Sequence, residues 1–147
     1  MDPHFLEVIL RLGSATAVGV VIGINRDLNN KPIGMRTLGL VALGAAVIAL
    51  ASIEMGDMHL HPDALSRVVQ GVIQGVMAGV GFIGAGVILR DPQAQRVEGI
   101  TTAASVWVTA ALGIACAFAA WRVVAVGLVI AVVLLVVLAW IEHYSSR

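Results

Sequence analysis

Five long apolar segments make up most of this chain, and they strongly restrict the folds open to it. A helix needs about 20 mostly apolar residues to cross a hydrocarbon core of ~30 Å. The segments cover residues 5–24, 37–53, 68–89, 101–120 and 123–141. The connections between them are too short to hold a second domain. The sequence therefore predicts an all-α polytopic transmembrane helix bundle of about five spans, with residues 1–147 forming a single transmembrane domain.

The scarcity of charge supports the same conclusion. Only 12% of the residues are charged and 59% are hydrophobic, whereas a soluble globular protein carries about 25% charged residues. The lipid bilayer is therefore the expected solvent. A formal net charge of zero argues against nucleic acid as a partner, because such partners require a basic surface. The first residues lack the basic region of a cleavable signal peptide, so we expect the first segment to remain as a span.

The distribution of Lys and Arg predicts the orientation in the membrane. Six lie on one side, namely Arg26, Lys31, Arg36, Arg90, Arg96 and Arg147, and the other side has Arg11, Arg67 and Arg122. Loops rich in Lys and Arg stay in the cytoplasm. The sequence thus predicts an N-terminus outside the cell and a cytoplasmic C-terminus.

The run "GVGFIGAG", residues 79–86, matches the spacing G-x-G-x-x-G of a dinucleotide-binding turn. That motif requires a preceding strand and a following helix, but here it continues an apolar segment, so we expect no nucleotide. Small residues fall on adjoining arcs of this span, where they let helix backbones approach closely. One arc contains Gly71, Gly75, Gly79 and Gly86. The neighbouring arc contains Gln70, Gln74, Ala78, Gly81 and Ala85, with Gly84 just beyond it. We expect a central, closely packed third helix, with a locally irregular helix lining a ligand path as the alternative.

The charged residues next to the first and third spans have two interpretations. Arg26, Asp27, Lys31, Arg36 and Arg90 share the predicted cytoplasmic face. Their ordinary role is to fix the topology. The alternative is a polar cluster that joins helix ends or binds an anion or a partner, because Arg offers bidentate contacts. We expect Thr37 and Thr101 to cap the N-termini of the second and fourth spans.

The loop after the second span carries Asp57, His59, His61 and Asp63. In an extended strand these side chains would share one side, where they could bind a divalent metal or respond to pH. The commoner explanation is a solvated loop. We find no constellation of catalytic residues, and we therefore expect neither an enzyme nor a cofactor.

Three motifs resemble the MgtC/SapB family of bacterial membrane proteins. They are "GINRDLNNKPIGMRTLGLVALGAA", "GVGFIGAGVILR" and "VEGITTAASVWVTAALG", in the order and spacing of that family. The family pattern falls on Gly23, Arg26, Lys31, Gly34, Arg36, Thr37, Gly81, Phe82, Gly84, Ala85, Gly86, Gly99, Thr101, Thr102, Ala103, Ala104 and Trp107. Asn25 stands where the family commonly has a glutamate, and Leu38 where a histidine is frequent.

The resemblance implies a small protein of the bacterial inner (plasma) membrane, with an accessory or regulatory role rather than an enzymatic one. The family is associated with magnesium homeostasis, virulence and the regulation of other membrane proteins. It therefore implies contact with a partner membrane protein, and exposed small residues suggest self-association. A transporter or channel for a small solute or divalent cation remains the alternative.

Overall fold

The computed structural model describes residues 2–56, 62–91 and 96–138, most of which form helices. The elements are α1 (Pro3–Leu28), α2 (Met35–Gly56), α3 (Pro62–Gly86), β1 (Leu89–Asp91), β2 (Arg96–Glu98), α4 (Ile100–Ala117) and α5 (Trp121–Val133). A π-helical segment, Leu134–Leu138, continues α5. Helices α1 to α4 are long and apolar enough to cross a membrane, and α5 belongs to a shorter apolar helix. The predicted transmembrane helix bundle is confirmed.

Local chemistry explains several of the helix ends. Asp2 caps α1 because its carboxylate accepts a hydrogen bond from the His4 amide at 3.1 Å, and Pro3 occupies the first helical position, where no amide hydrogen is needed. Pro62 likewise occupies the first position of its helix, α3. Between α4 and α5, Ala119 adopts a left-handed conformation with φ of 52°. The tight turn therefore lies at residues 118–120, just before the predicted Trp121–Arg122 connection.

The core lies between α1, α2 and α4, whose small residues let the helices approach closely. Ala15, Gly19 and Gly23 are buried on α1, and Gly19 and Gly23 face α2. A Cβ atom on Gly19 would lie 2.7 Å from the carbonyl carbon of Leu38. On α4, a Cβ atom on Gly113 would lie 2.9 Å from the Cα atom of Ala42. These helices meet through backbone atoms, as expected where small residues replace bulky ones in a membrane.

The expectation that the third span is central is wrong. Helix α4 is the most buried of the four long helices, and α3 is the least. A Cβ atom on Gly79, Gly81 or Gly86 would meet nothing within 4 Å, and on α3 only Gly84 comes close to a neighbour, the side chain of Ala103 at 3.4 Å. The faces of α1, α2 and α4 that carry small residues pack against one another, and α3 therefore lies outside these three helices.

The expected caps at Thr37 and Thr101 are also wrong. Helix α2 begins two residues before Thr37, and α4 begins at Ile100 after the N-cap residue Gly99, which has φ of 90°. The β-hairpin places Gly99 close to the carbonyl group of Val87, so backbone geometry starts α4. The short hairpin itself was not predicted. At the other end of the bundle Glu7 and Arg11 form an ion pair, and Arg11 also donates to the Ala117 carbonyl at 2.8 Å.

Candidate functional site

Helices α2 and α3 line an open apolar groove with a volume of about 680 Å³, which we term the α2–α3 groove. Its walls are Thr37, Leu40, Val41, Gly44, Ala45 and Ile48 on α2, and Val72, Gly75, Val76, Gly79, Val80 and Ile83 on α3. On each helix these residues recur every three or four positions, so each wall is one helix face. The groove extends over roughly 16 Å, about three helical turns.

Glycines make this groove accessible to another backbone. A Cβ atom on Gly44, Gly75 or Gly79 would meet nothing within 4 Å. The bulky side chains that flank them stand out as ridges, and Leu40 and Ile83 are 67% and 47% exposed. Small residues between aliphatic ridges are the arrangement that lets two helices pack closely in lipid. The groove is therefore shaped for an apolar helix.

The lining of the groove selects an apolar occupant. Among the residues that form its walls, Thr37 alone has a polar side chain, and it lies at the end where α2 begins. A hydrated ion or sugar would lose hydrogen bonds on entering such a surface. An aliphatic helix face would lose none, so it matches the walls chemically as well as in shape.

A second set of predicted residues meets where α1 ends and α4 begins. Arg26 is 4% exposed, and its guanidinium donates a hydrogen bond to Oγ1 of Thr102, which is 3% exposed. The Nε atom of Arg26 is buried and has no hydrogen-bond partner among the described residues. The sequence placed Arg26 among the loop charges but did not predict that it is buried or that it contacts Thr102.

Asp27, the next residue, serves the neighbouring helix. Its carboxylate accepts a hydrogen bond from the backbone amide of Met35 at 2.9 Å, at the start of α2. A negative group at a helix N-terminus both satisfies an unpaired amide and compensates the helix dipole. The loop between them folds back compactly, because Asn30 has φ of 52° and the Lys31 amide donates to the Arg26 carbonyl at 3.0 Å.

The other predicted residues are dispersed. Lys31, Arg36, Gln70, Gln74, Gly81, Gly86, Thr101 and Trp107 are exposed, Gly84 is buried, and Arg90 lies in β1 with Val97 opposite on β2. The expected packing of Gln70 and Gln74 inside the bundle is therefore wrong, because both lie on the outer surface of α3. Leu38, one of the two departures from the family pattern, is fully buried against Gly19.

The predicted metal loop falls mostly outside the described residues. This applies to Asp57, His59 and His61, whereas Asp63 is exposed in the first turn of α3. Within residues 2–56, 62–91 and 96–138, no group of three or more His, Cys, Asp or Glu side chains is placed to hold a metal ion.

One residue of the groove was missed by sequence reasoning. The sequence assigns no role to Gly44, a small residue of the second span, yet it lines the groove together with Gly75 and Gly79. A usable signal exists, because Leu40, Gly44 and Ile48 follow one another at intervals of four and thus share a helix face. What the pattern does not contain is the identity of the helix that faces them.

Comparison with known proteins identifies the family. The family model described as MgtC family matches residues 12–144. The chain belongs to the MgtC family. With four apolar helices of spanning length, it is a multi-pass protein of the bacterial inner membrane. The resemblance stated from the motifs is confirmed.

Several curated relatives of this MgtC-family chain are similar over most of its length. Protein SrpB of Synechococcus elongatus is 44% identical over 131 residues, which cover 84% of this chain and 70% of SrpB. Protein SapB of Bacillus subtilis is 37% identical over 78% of this chain and 48% of SapB. Protein MgtC of Salmonella typhimurium is 39% identical over 74% of this chain and 42% of that protein. This chain therefore spans less than half of the latter two. No solved structure matches.

Proposed function

We propose that this protein is an accessory or regulatory protein of the inner membrane that holds a helix of a partner membrane protein in the α2–α3 groove. The observation that carries the proposal is the groove itself: two helix faces, about three turns long, with three glycines that no part of the described chain covers. On this proposal residues 1–147 act as a single transmembrane domain that catalyses no reaction and binds neither nucleotide nor nucleic acid.

The physical argument for a helix as the occupant rests on packing in lipid. Lipid tails are as apolar as leucine, so burying apolar surface does not by itself drive helices together in a membrane. Close van der Waals contact does, and it requires small residues at the contact. Gly44, Gly75 and Gly79 supply them on both walls, with Val and Ile ridges to fill the grooves of the visiting helix.

The proposed tie to magnesium and envelope homeostasis rests on membership of the MgtC family and on the resemblance that the motifs carry. Because this chain matches less than half of protein MgtC, that role is transferred as a proposal for the membrane domain alone. Of the small and polar residues singled out from the sequence, Thr37, Gly75 and Gly79 lie in the groove walls.

The proposal can be tested by filling the groove. Gly75→Leu and Gly79→Leu place a large side chain in it, and the matched control is Gly71→Leu, on the same helix, in equally open space and outside the groove walls. All three changes improve helix propensity by about the same amount, up to roughly 1 kcal/mol. We therefore expect all three variants to accumulate in the membrane like the wild type.

We expect the groove variants and the Gly71→Leu control to differ in function. In a strain that lacks its own protein of this type, growth at low magnesium should be restored by the wild type and by Gly71→Leu, but not by the two groove variants. A photo-crosslinker at Ile48, in the groove wall, should give a covalent adduct with another protein, whereas one at the exposed Val126 of α5 should not. Full restoration of growth by both groove variants would refute the proposal.

Two other results would contradict the proposal, one by identifying a different occupant of the groove and one by favouring a different function. Differently tagged copies of the chain that crosslink to each other through Ile48 would make the occupant a second copy. Specific flux of a cation or solute into liposomes that contain the purified protein, lost in Gly79→Leu and kept in Gly71→Leu, would favour the alternative function of a transporter or channel.

A further inference from the structure

The N-termini of α2 and α4 lie at the same end of the bundle, and side chains of opposite charge contact them. The start of α2 receives the Asp27 carboxylate, which accepts from the Met35 amide. The start of α4 receives a cation, because the guanidinium of Arg26 bonds to Thr102 in the first turn of that helix. A helix N-terminus carries a partial positive charge, so a guanidinium there is electrostatically unfavourable unless an anion lies between them.

Several hydrogen-bond donors at this point lack an acceptor in the described chain. The first hydrogen bond within α4 runs from the Ala103 amide to the Gly99 carbonyl at 2.9 Å, so the amides of Ile100, Thr101 and Thr102 have no partner within the helix. Gly99 has no side chain to cap them. The Nε donor of Arg26, buried and without a partner, lies beside the same turn.

We propose that Arg26 and the first turn of α4 form a binding site for a phosphate group. An oxyanion would accept hydrogen bonds from the guanidinium and from the free amides together, and charge-assisted bonds of this kind are the strongest that a protein makes. Ile100 and Thr101 are exposed, so the turn is open to the outside. The site lies where α1 ends and α4 begins.

Two sources supply this chemistry, a lipid headgroup and free phosphate, and the experiment separates them. The protein is purified in dodecyl maltoside, which contains no phosphate. One arm adds sodium phosphate against sodium chloride of equal ionic strength, and the other adds phosphatidylglycerol. Thermal unfolding measures stabilisation in both arms, and native mass spectrometry counts the lipid molecules that remain bound. A phosphate-group site requires a shift in at least one arm.

Arg26→Gln tests the residue, and Lys31→Gln and Arg36→Gln are matched controls that remove the same charge at exposed positions of the same end. We expect Arg26→Gln to weaken binding about tenfold or more, the value of one hydrogen bond to a charged group, while the controls bind within about twofold of wild type, as expected for screened surface charges. Arg26→Lys, which keeps the charge but loses the fork of donors, should fall between them.

The stability of the empty protein provides an independent readout. Without phosphate or lipid, Arg26 is a buried charge with a single neutral acceptor among the described residues, so Arg26→Gln should be at least as stable as the wild type. With the anion bound, the wild type should be the more stable of the two. A purely structural Arg26 would instead make the variant less stable in both conditions, and that result would overturn the proposal.

A variant with milder effects guards against misfolding of Arg26→Gln. Thr102→Val keeps the shape of the side chain and removes the oxygen that orients the guanidinium, so it should also reduce the stabilisation by phosphate or lipid. The proposal fails if neither arm stabilises the wild type, if the two exposed controls lose as much binding as Arg26→Gln, or if Thr102→Val and Arg26→Lys both bind like the wild type.

Discussion

Gly19→Ala should destabilise the bundle, although the same change in an isolated helix would stabilise it. Gly19 lies on the face of α1 that contacts α2. An added Cβ atom would lie 2.7 Å from the carbonyl carbon of Leu38 and 2.8 Å from the Cα atom of Gly39. Ordinary contact begins near 3.4 Å, and both neighbours are backbone atoms that cannot rotate away. Helices α1 and α2 would therefore have to separate.

The size of the effect follows from two opposing terms. Replacing Gly by Ala in a helix interior gains about 1 kcal/mol of propensity. Overpacking a well-packed contact costs about 1–3 kcal/mol, and more where the backbone must shift. Because the whole α1–α2 contact is affected, we expect the upper part of that range, which gives a net loss of roughly 1–2 kcal/mol. Gly13, on the same helix, has nothing within 4 Å of its added Cβ, so Gly13→Ala should gain up to about 1 kcal/mol.

Reversible unfolding in mixed detergent micelles, followed by far-ultraviolet circular dichroism, measures both variants against the wild type. The opposite signs are the diagnostic result, because detergent composition and expression level act on both variants alike. If Gly19→Ala were as stable as Gly13→Ala, helix α1 would not lie against α2 at this position. The close packing inferred for α1, α2 and α4 would then be incorrect.

Two further predictions concern the connections. Asp27→Ala should cost about 1 kcal/mol through loss of the cap on α2, and because a Cβ on Gly34 would overlap the Asp27 carboxylate, Gly34→Ala should displace the same cap. In a double-mutant cycle by chemical unfolding, the double variant should lose clearly less stability than the sum of the two single losses. Full additivity would contradict the shared contact. Gly99→Ala should cost at least about 1–2 kcal/mol of stability, because the φ of 90° at this position is unfavourable for other L-residues. In addition, the new Cβ atom would lie 2.9 Å from the Val87 carbonyl carbon. A thermal midpoint equal to that of the wild type would exclude this geometry.

Much of the fold follows from the length and polarity of the segments. The positions of the apolar segments locate the four long helices, with ends displaced by up to several residues, because caps and prolines rather than hydropathy decide where a helix starts. Pro62 extends α3 six residues before the predicted start at Val68. The Glu7–Arg11 pair is equally local, since side chains four residues apart share a helix face. The last segment is aliphatic all round, which is typical of a lipid-facing helix, and among residues 121–133 α5 buries only Val124 and Ala131.

The position of α3 could not be predicted for a physical reason. A stripe of small residues indicates that another helix can approach that face closely, but it does not indicate which helix does so. Four spans in this chain carry such stripes, and several pairings are compatible with their spacing. The structure selects the one in which Gly19, Gly23 and Gly113 meet α2 directly, which leaves the glycine face of α3 uncovered. Burial of Arg26 has the same origin, because it depends on where α4 begins relative to α1.

The glycines of α1 and those of α3 therefore differ in which contacts compensate their loss of helix stability. Each glycine in a helix interior loses about 1 kcal/mol of helix stability relative to alanine. At Gly19 and Gly23 that loss is offset within the chain, because any larger residue would collide with α2. At Gly75 and Gly79 nothing in the described chain would be disturbed by a larger residue, so no internal contact offsets the loss. A helix that docks in the α2–α3 groove would offset it, and for this reason the glycines of α3 are better explained by an external contact than by the fold.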